Sequence, residues 1–135
     1  MREGLKPLFS SERQNWRTPK KLYEILDEEF QFEFDPCPND PQFDGLEIEW
    51  LSRNFVNPPF RDVGKWIKKG FEESQKGKLV VFLVASRTDT RWFHDYALAY
   101  AVEIRFIKGR LRFDGFHNSA PFPSCIIIFD GRRNT

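Results

Sequence analysis

The fold class is decided by one stretch, Arg53-Asn54-Phe55-Val56-Asn57-Pro58-Pro59-Phe60. Its first half has the short apolar pattern of a buried strand, and an amphipathic helix pattern follows the second half. The two prolines make the connecting turn stiff, because each fixes φ and lacks an N–H. Such a turn can hold the Asn57 amide, the Pro58 carbonyl and the Phe60 ring in an arrangement that grips a planar amino group. The alternative is a rigid turn that only buries an aromatic ring.

Strand and helix patterns alternate around this stretch. Helix patterns lie at 18–30, 63–76 and 90–98, and further strand patterns at 32–34, 79–84, 102–107, 111–113 and 124–129. We expect Thr18 to cap the first helix and Pro19 to take its first position. The alternation predicts an α/β sheet that is at least partly parallel, with an antiparallel last strand because no helix precedes it.

Length and composition limit the organisation. A chain of 135 residues suits one domain, which we place at 14–135 after a flexible polar arm at 1–13. The net charge of +1 excludes a strong global basic field, so nucleic-acid binding would need a local basic patch. Two cysteines fit a reducing cytosol, and the sequence shows no signal-like start or long apolar segment. We therefore expect a soluble cytoplasmic protein without a membrane partner.

Polar residues lie just past three of the strand patterns. They are Asp35, Asn57 and Ser86. Ligands of open α/β sheets bind at the carboxyl ends of the strands, so these residues predict a site there. The alternative is that turns are polar in any protein.

The residue types that bind zinc are scattered along the chain. They are Cys37, His94, His117 and Cys125. Their spacings match no compact ligand pattern, so we predict no metal site.

Short motifs form an ordered series over residues 14–130. They are Trp16-Arg17-Thr18-Pro19, Phe34-Asp35-Pro36-Cys37-Pro38, Asp44-Gly45-Leu46 with Trp50, Phe55-Val56-Asn57-Pro58-Pro59-Phe60, Trp66-Ile67, Arg87-Thr88-Asp89-Thr90 with Trp92-Phe93, Lys108-Gly109-Arg110-Leu111-Arg112-Phe113, and Asn118-Ser119-Ala120-Pro121-Phe122-Pro123. Each fragment alone is weak, whereas the ordered set is specific. In it the chain resembles the phage-type DNA N6-adenine methyltransferases, a Dam-like family of phages and prophages.

The resemblance implies a trimmed Rossmann-like class I methyltransferase fold with a mixed, mostly parallel sheet. It implies S-adenosyl-L-methionine as cofactor, adenine N6 in DNA as acceptor, a bacterial host cytoplasm and a link to restriction–modification. Asn57-Pro58-Pro59-Phe60 matches the family's catalytic tetrapeptide. Trp16-Arg17-Thr18-Pro19 and Asp35-Pro36-Cys37 match segments associated with the cofactor, to which Asn57 is also assigned.

The turn after the first strand departs from the wider group of adenine methyltransferases. Asp35-Pro36-Cys37-Pro38-Asn39 contains no glycine, and the span from Asp35 to Asn57 is short. We therefore expect a trimmed sheet. The acid that would bind the cofactor's ribose stays open among Asp44, Glu47 and Glu49.

The matched residues suggest a division of labour. The Asn57 side-chain oxygen and the Pro58 carbonyl would accept hydrogen bonds from the adenine amino group, while Phe60 would stack on the flipped base. That stacking is worth roughly 1–3 kcal/mol by analogy with other base–aromatic contacts. Asp35 would hold the amino group of the cofactor's methionine part; the alternative role is a turn aspartate.

Basic and polar residues late in the chain are the candidates for DNA contact. They are Arg87, Arg91, Lys108, Arg110, Arg112, Asn118 and Ser119. Arg110 and Arg112 would share one face of a strand and so form a basic stripe. The alternative is an ordinary solvated charged surface.

Two rival functions remain at this point. One keeps the chemistry but changes the acceptor to an RNA adenine or a protein glutamine; the other is a non-catalytic nucleic-acid-binding module on a decayed methyltransferase fold. The late basic residues favour nucleic acid, and the intact tetrapeptide argues against decay. No long insertion could form a separate target-recognition domain. We therefore expect recognition of a short site by the loop with Asn118 and Ser119, promiscuous action, self-association or an accessory specificity partner.

Overall fold

The computed structural model describes residues 17–115 and 118–132. Its helices are α1 (Lys20–Phe30), a 3-10 helix (Phe60–Asp62), α2 (Val63–Ser74) and a π-helix (Phe93–Leu98). Its strands are β1 (Arg53–Val56), β2 (Leu79–Ala85), β3 (Glu103–Phe106) and β4 (Ser124–Asp130). The arm predicted at 1–13, and also Trp16 and His117, lie outside the described residues.

The four strands form one mixed sheet in the order β1-β2-β4-β3. β1 runs parallel to β2, whereas β4 is antiparallel to both β2 and β3. The predicted mixed sheet and antiparallel last strand are therefore confirmed. Three strands point the same way, but β4 lies between β2 and β3, so two of the three strand pairs are antiparallel. In its pairings the sheet is thus not mostly parallel.

Strand β2 is buried along its whole length, as its continuous apolar pattern predicts. Side chains alternate between two hydrophobic clusters, with Phe82 in the cluster that includes Ile67 of α2, and Leu83 in the cluster that includes Leu26 of α1. The sheet therefore has helices on both faces, which leaves the ends of the strands as the place for a ligand.

The predicted strand at 32–34 shrinks to a single parallel bridge between Phe34 and Asn54. The Phe34 carbonyl accepts a hydrogen bond from the Phe55 N–H at 3.0 Å, and Arg53 accepts one from Glu33 at 2.8 Å. The prolines that follow prevent a longer pairing, because they offer no N–H. This one bridge still places the start of the proline-rich loop beside β1.

The strand predicted at Leu111–Phe113 is wrong, and the basic stripe that depended on it is not formed. The chain turns at Gly109, whose φ is +73°, and the Leu111 carbonyl then accepts a hydrogen bond from Ala120 at 2.7 Å. Asp114 forms a bridge with Arg17 instead of joining the sheet. Local pairing therefore outweighs the alternating pattern in this segment.

The start of α1 also differs from expectation. The helix begins at Lys20, and Pro19 takes the capping position with its carbonyl accepting from Tyr23 at 3.0 Å. No side chain caps this end, so the predicted capping role of Thr18 is wrong. In contrast, Thr90 caps the start of the last helical segment, where its Oγ1 accepts from the Phe93 N–H at 3.3 Å.

A buried carboxylate fastens the segment before β1 to α2. Glu73 is 1% exposed and accepts hydrogen bonds from the Trp50 N–H at 3.0 Å and from Lys78. Lys76 and Lys69 complete the cluster at 3.0 and 3.2 Å. Burial alone would raise the pKa of Glu73, but the hydrogen bonds from these groups lower it to about 2. The cluster lies at the amino end of β2, away from the carboxyl edge.

Within the described part of the chain, no helix is long and apolar enough to span a membrane.

Candidate functional site

The predicted polar residues meet at the carboxyl edge of the sheet. Asp35 follows the bridge at Phe34, Asn57 follows β1 and Ser86 follows β2. The Ser86 N–H is held by the Pro123 carbonyl at 2.9 Å, which brings the segment before β4 to the same edge. Parallel pairing thus gathers residues that are far apart in the sequence.

The amide of Asn57 is oriented by Thr18. Asn57 Nδ2 donates a hydrogen bond to Thr18 Oγ1 at 3.1 Å, across 39 positions of sequence. Since the nitrogen end of the amide faces Thr18, its oxygen end points elsewhere. A residue predicted for the cofactor and one predicted for catalysis therefore touch, and the bond replaces the capping role expected of Thr18.

A cavity of about 390 Å³ opens beside this pair. Its wall includes Arg17, Lys20, Asp35, Asn57 and Asp114. Two basic and two acidic side chains around one cavity suit a ligand that carries both an ammonium and a carboxylate group. Lys20 and Asp114 were not expected here; the sequence signal for Asp114 is that it directly follows the motif ending at Phe113.

The position of Asp35 beside the first cavity changes the pKa of its carboxylate. Desolvation by the surrounding protein raises its pKa to about 6, although a 2.8 Å hydrogen bond from the Cys37 N–H acts in the opposite direction. The side chain is still accessible from the cavity, so its desolvation is partial. Near neutral pH the group is an anion that gains from a cationic partner.

A second cavity, of about 490 Å³, adjoins the first through Cys37, Pro38 and Asn39. Its wall is more apolar and includes Phe43 and Trp66. Burial raises the pKa of the Cys37 thiol to about 12, with the Asp35 charge adding to the effect, so the thiol is neutral. The two cavities together offer a charged end and an apolar end.

Gly45 lets the wall of the second cavity close. A Cβ at this position would overlap the Pro36 carbonyl oxygen and lie 2.7 Å from the Trp66 ring. The Gly45 carbonyl accepts from Trp50 Nε1 at 2.7 Å, and Trp50 stacks on Trp66 with ring centroids 6.2 Å apart. Because residue 45 has no Cβ, the loop that carries it packs directly against the turn at Pro36.

The three acidic residues that could bind the ribose of the cofactor differ in their positions. Asp44 lines the second cavity, and its Oδ1 accepts from the Leu46 N–H at 3.0 Å. Glu47 does not line either cavity, and Glu49 pairs with Lys78 at 3.2 Å near the amino end of β2. Of the three, Asp44 is the one that lines either of these two cavities.

Phe60 is 39% exposed and has two neighbours above the turn. The Phe122 ring centroid is 5.4 Å away at a tilt of 31°, and the Arg87 guanidinium lies over the Phe60 ring at 5.1 Å from its centroid. Behind the turn, an apolar cavity of only about 20 Å³ reaches Leu83 and Ala85. The aromatic surface is therefore present but partly covered.

The candidates for DNA contact are all exposed. Lys108, Arg110 and Arg112 follow β3, and Asn118 and Ser119 lie in the same connection. Arg91 lies just before the π-helix. The structure brings only Arg87 of this group into contact with the tetrapeptide.

Across residues 17–115 and 118–132, no group of three or more His, Cys, Asp or Glu side chains is placed to hold a metal ion.

Comparison with known families agrees with the motifs. A sequence model of the family described as DNA N-6-adenine-methyltransferase (Dam) matches residues 7–126. No curated protein matched the chain. Because the family match spans most of the sequence, the chain belongs to this family.

Proposed function

We propose that this member of the DNA N-6-adenine-methyltransferase family transfers a methyl group from S-adenosyl-L-methionine to the N6 amino group of adenine in DNA. The observation that carries the proposal is the Asn57-Pro58-Pro59-Phe60 turn, which ends β1 with its amide fixed by Thr18 beside the two cavities. We further propose a trimmed Rossmann-like class I fold, supported by helices on both sheet faces and a site at the carboxyl edge.

The chemistry asked of the protein is positioning and electrostatic stabilisation. The exocyclic nitrogen of adenine is a poor nucleophile, because its lone pair is delocalised into the ring. The Asn57 oxygen and the Pro58 carbonyl would accept hydrogen bonds from its two N–H groups. These hydrogen bonds favour a pyramidal nitrogen and stabilise the positive charge that grows on it during transfer. Neither acceptor needs to take a proton during transfer, since the nitrogen can lose one afterwards.

The two adjoining cavities fit the cofactor. Asp35 would bind its ammonium group, with Arg17 and Lys20 available for its carboxylate. The apolar wall with Trp66 suits the adenosine, and Asp44 the ribose hydroxyls. When bound, the cofactor supplies an electrophilic methyl group on a sulfonium sulfur.

Other assigned residues take supporting roles in this proposal. Pro19 and Pro36 shape the two segments that carry Thr18 and Asp35, and Cys37 separates the cavities as a neutral thiol. Trp16 would pack against the adenosine. This role is a prediction from the family motif, because Trp16 lies outside the described residues.

Cofactor affinity should fall at acid pH. Binding needs the Asp35 carboxylate, whose pKa of about 6 in the free protein means that it is protonated below that pH. The dissociation constant for S-adenosylmethionine is therefore expected to rise about tenfold between pH 7.5 and pH 5. Titration calorimetry across this range measures it. Asp35→Asn should bind weakly at every pH; an equally tight Asp35→Asn variant would remove the assigned contact.

A methyl group added at Gly45 should damage cofactor binding. In Gly45→Ala the new Cβ meets the Pro36 carbonyl, so the wall with Trp66 must shift. We expect the affinity for S-adenosylmethionine to fall at least about tenfold, the cost of roughly 1.4 kcal/mol of lost fit. Gly64→Ala is the matched control, because its Cβ meets only the Trp92 side chain at 3.4 Å. Equal affinities of the two variants would contradict this role.

DNA binding is proposed for the exposed candidates as a group. They are Arg87, Arg91, Lys108, Arg110, Arg112, Asn118 and Ser119. Arg87 is the member of this group that contacts Phe60. The other residues would contact the phosphate backbone of the DNA farther along the duplex. We propose that the protein acts in a bacterial host cytoplasm and has a phage or prophage origin linked to restriction–modification. Its sequence specificity would come from the connection between β3 and β4, from self-association or from an accessory partner.

Expression in a bacterial host that lacks adenine methylation tests the function. Sequencing that detects modified bases should show N6-methyladenine with the wild-type chain and none with Asn57→Ala. It would also give the target sequence. Unmodified DNA in both strains, with a folded protein present, would favour another acceptor such as RNA adenine or protein glutamine, or a module that only binds nucleic acid.

A further inference from the structure

The Arg87 side chain lies where a flipped base would stack. Its guanidinium is over the Phe60 ring, 5.1 Å from the centroid. Phe122 contacts the same ring at 5.4 Å, and the apolar cavity beside the turn holds only about 20 Å³. A planar base that stacks on the face of Phe60 beneath the guanidinium therefore has to displace Arg87.

The backbone of Arg87 is fixed, whereas its side chain is exposed. The Arg87 N–H donates to Ala85 at 2.8 Å, and its carbonyl accepts from the Thr90 N–H at 3.1 Å and from Thr90 Oγ1 at 2.7 Å. Within the described residues, its guanidinium makes no ion pair with a carboxylate. The cation is thus held over an aromatic face by a weak contact and anchored on a rigid turn.

We propose that Arg87 covers the base-stacking face of Phe60 in the free protein and exchanges that contact for a DNA phosphate when the target base enters. The proposal rests on the proposed function and deepens it. Arg87 is then a positioning residue whose movement links contact with the DNA backbone to access to the stacking ring.

The relative strengths of the two contacts support the exchange. A cation over an exposed aromatic ring contributes about two- to fivefold in affinity. An arginine–phosphate contact is charge-assisted and frequently bidentate, and is therefore the stronger of the two. A neutral ligand leaves the cover in place, whereas DNA removes it and supplies a base to the exposed ring. The cover thus discriminates in favour of a base that arrives with its phosphates.

The direct test is an NMR measurement on the δ-CH₂ group of Arg87. In the free protein the Phe60 ring current should shift these protons upfield, and Phe60→Leu should abolish the shift. Addition of a short adenine-containing duplex together with S-adenosylhomocysteine should return them to ordinary values. An upfield shift that persists in the DNA complex, or a duplex that does not bind, would overturn the proposal.

Binding measurements on two arginine variants separate the cover from an ordinary phosphate contact. Arg87→Gln should weaken duplex binding, reduce the salt dependence by about one phosphate contact, and tighten the binding of uncharged deoxyadenosine about two- to fivefold. Arg91→Gln, which removes an exposed arginine without a ring contact in the described structure, should weaken duplex binding without tightening deoxyadenosine. If both variants bind deoxyadenosine more tightly by the same factor, or if neither does, Arg87 does not cover the Phe60 ring.

The outcomes distinguish this proposal from the proposed function. Labelled methyl transfer by the wild-type protein is measured in parallel. If the Arg87 signals move on DNA binding but no methyl group is transferred, the function fails and the exchange stands. If methyl transfer occurs while Arg87 stays on Phe60, the function stands and the exchange fails.

Discussion

Replacement of Asn57 by alanine is expected to lower the rate of methyl transfer by about 10²–10³-fold, the usual effect of removing one preorganised polar group from a transition state. The amide is fixed by the 3.1 Å bond to Thr18 and has no substitute in the turn except the Pro58 carbonyl. Cofactor affinity should fall by no more than about fivefold, the net worth of one hydrogen bond. Single-turnover kinetics and calorimetry give the two values.

Thr18→Val serves as the matched control for Asn57→Ala. It keeps the shape of the side chain but removes the acceptor that orients the amide. We expect a reduction of about two- to tenfold in the transfer rate, since the amide remains but is less well fixed. A Thr18→Val variant as inactive as Asn57→Ala would mean that Thr18 has a direct part in catalysis. Full activity of Asn57→Ala would refute the role assigned to the amide.

Glu73→Ala should be the most destabilising single change outside the site. It leaves the Trp50 N–H without its acceptor and removes the buried carboxylate from the ammonium of Lys78, which keeps only the Trp50 carbonyl and the exposed Glu49 as partners. Loss of one partner from a buried ionic cluster costs about 3–5 kcal/mol in the free energy of unfolding. In a chain of this length the melting temperature should fall by roughly 10–20 °C. Thermal unfolding followed by circular dichroism measures the change.

Glu49→Gln is the control for this effect. Glu49 also pairs with Lys78, but its side chain is 70% exposed. An exposed pair contributes about 0–1 kcal/mol, so this variant should melt within a few degrees of the wild type. Equal losses in the two variants would show that charge balance at Lys78, and not burial of Glu73, stabilises the cluster.

The pH dependence of stability follows from the same carboxylate. Its pKa in the folded protein is about 2, below the ordinary value of 4.5. Its contribution is therefore complete above the unfolded value and is lost as the pH falls through 4.5 toward 2. Glu73→Ala should lack this part of the acid sensitivity.

Local patterns were enough to predict the elements that carry the site. The unbroken apolar run of β2 and the helical spacing of Trp66 and Ile67 depend on burial, which the sequence expresses directly. The turn at Asn57 was predictable because proline restricts the backbone whatever surrounds it. These features needed no knowledge of distant contacts.

Contacts with particular partners elsewhere in the chain account for the errors and omissions. Thr18 turned from a helix cap into the partner of Asn57, and Asp114 joined the cavity through its bridge to Arg17. The segment with Leu111 alternates like a strand, yet its hydrogen bond to Ala120 closes a local loop. Propensity cannot decide such cases, because the competing partner is chosen by the tertiary fold.

The role of Gly45 also could not be predicted from the local sequence. A glycine beside an aspartate suggests an ordinary turn, and the Asp44 hydrogen bond to Leu46 indeed forms one. Its further importance comes from the approach to Pro36 and Trp66, which becomes visible only when the two loops are packed together.

The most direct test of the central claim is labelled methyl transfer in vitro. Purified protein is incubated with methyl-labelled S-adenosylmethionine and varied single- and double-stranded DNA, and the DNA is digested and its nucleosides are separated. The wild-type chain should place label in N6-methyldeoxyadenosine, and Asn57→Ala should place almost none there. A wild-type chain that binds the cofactor yet yields no N6-methyldeoxyadenosine on any of these substrates would contradict the claim that the Asn57-Pro58-Pro59-Phe60 turn grips the adenine amino group.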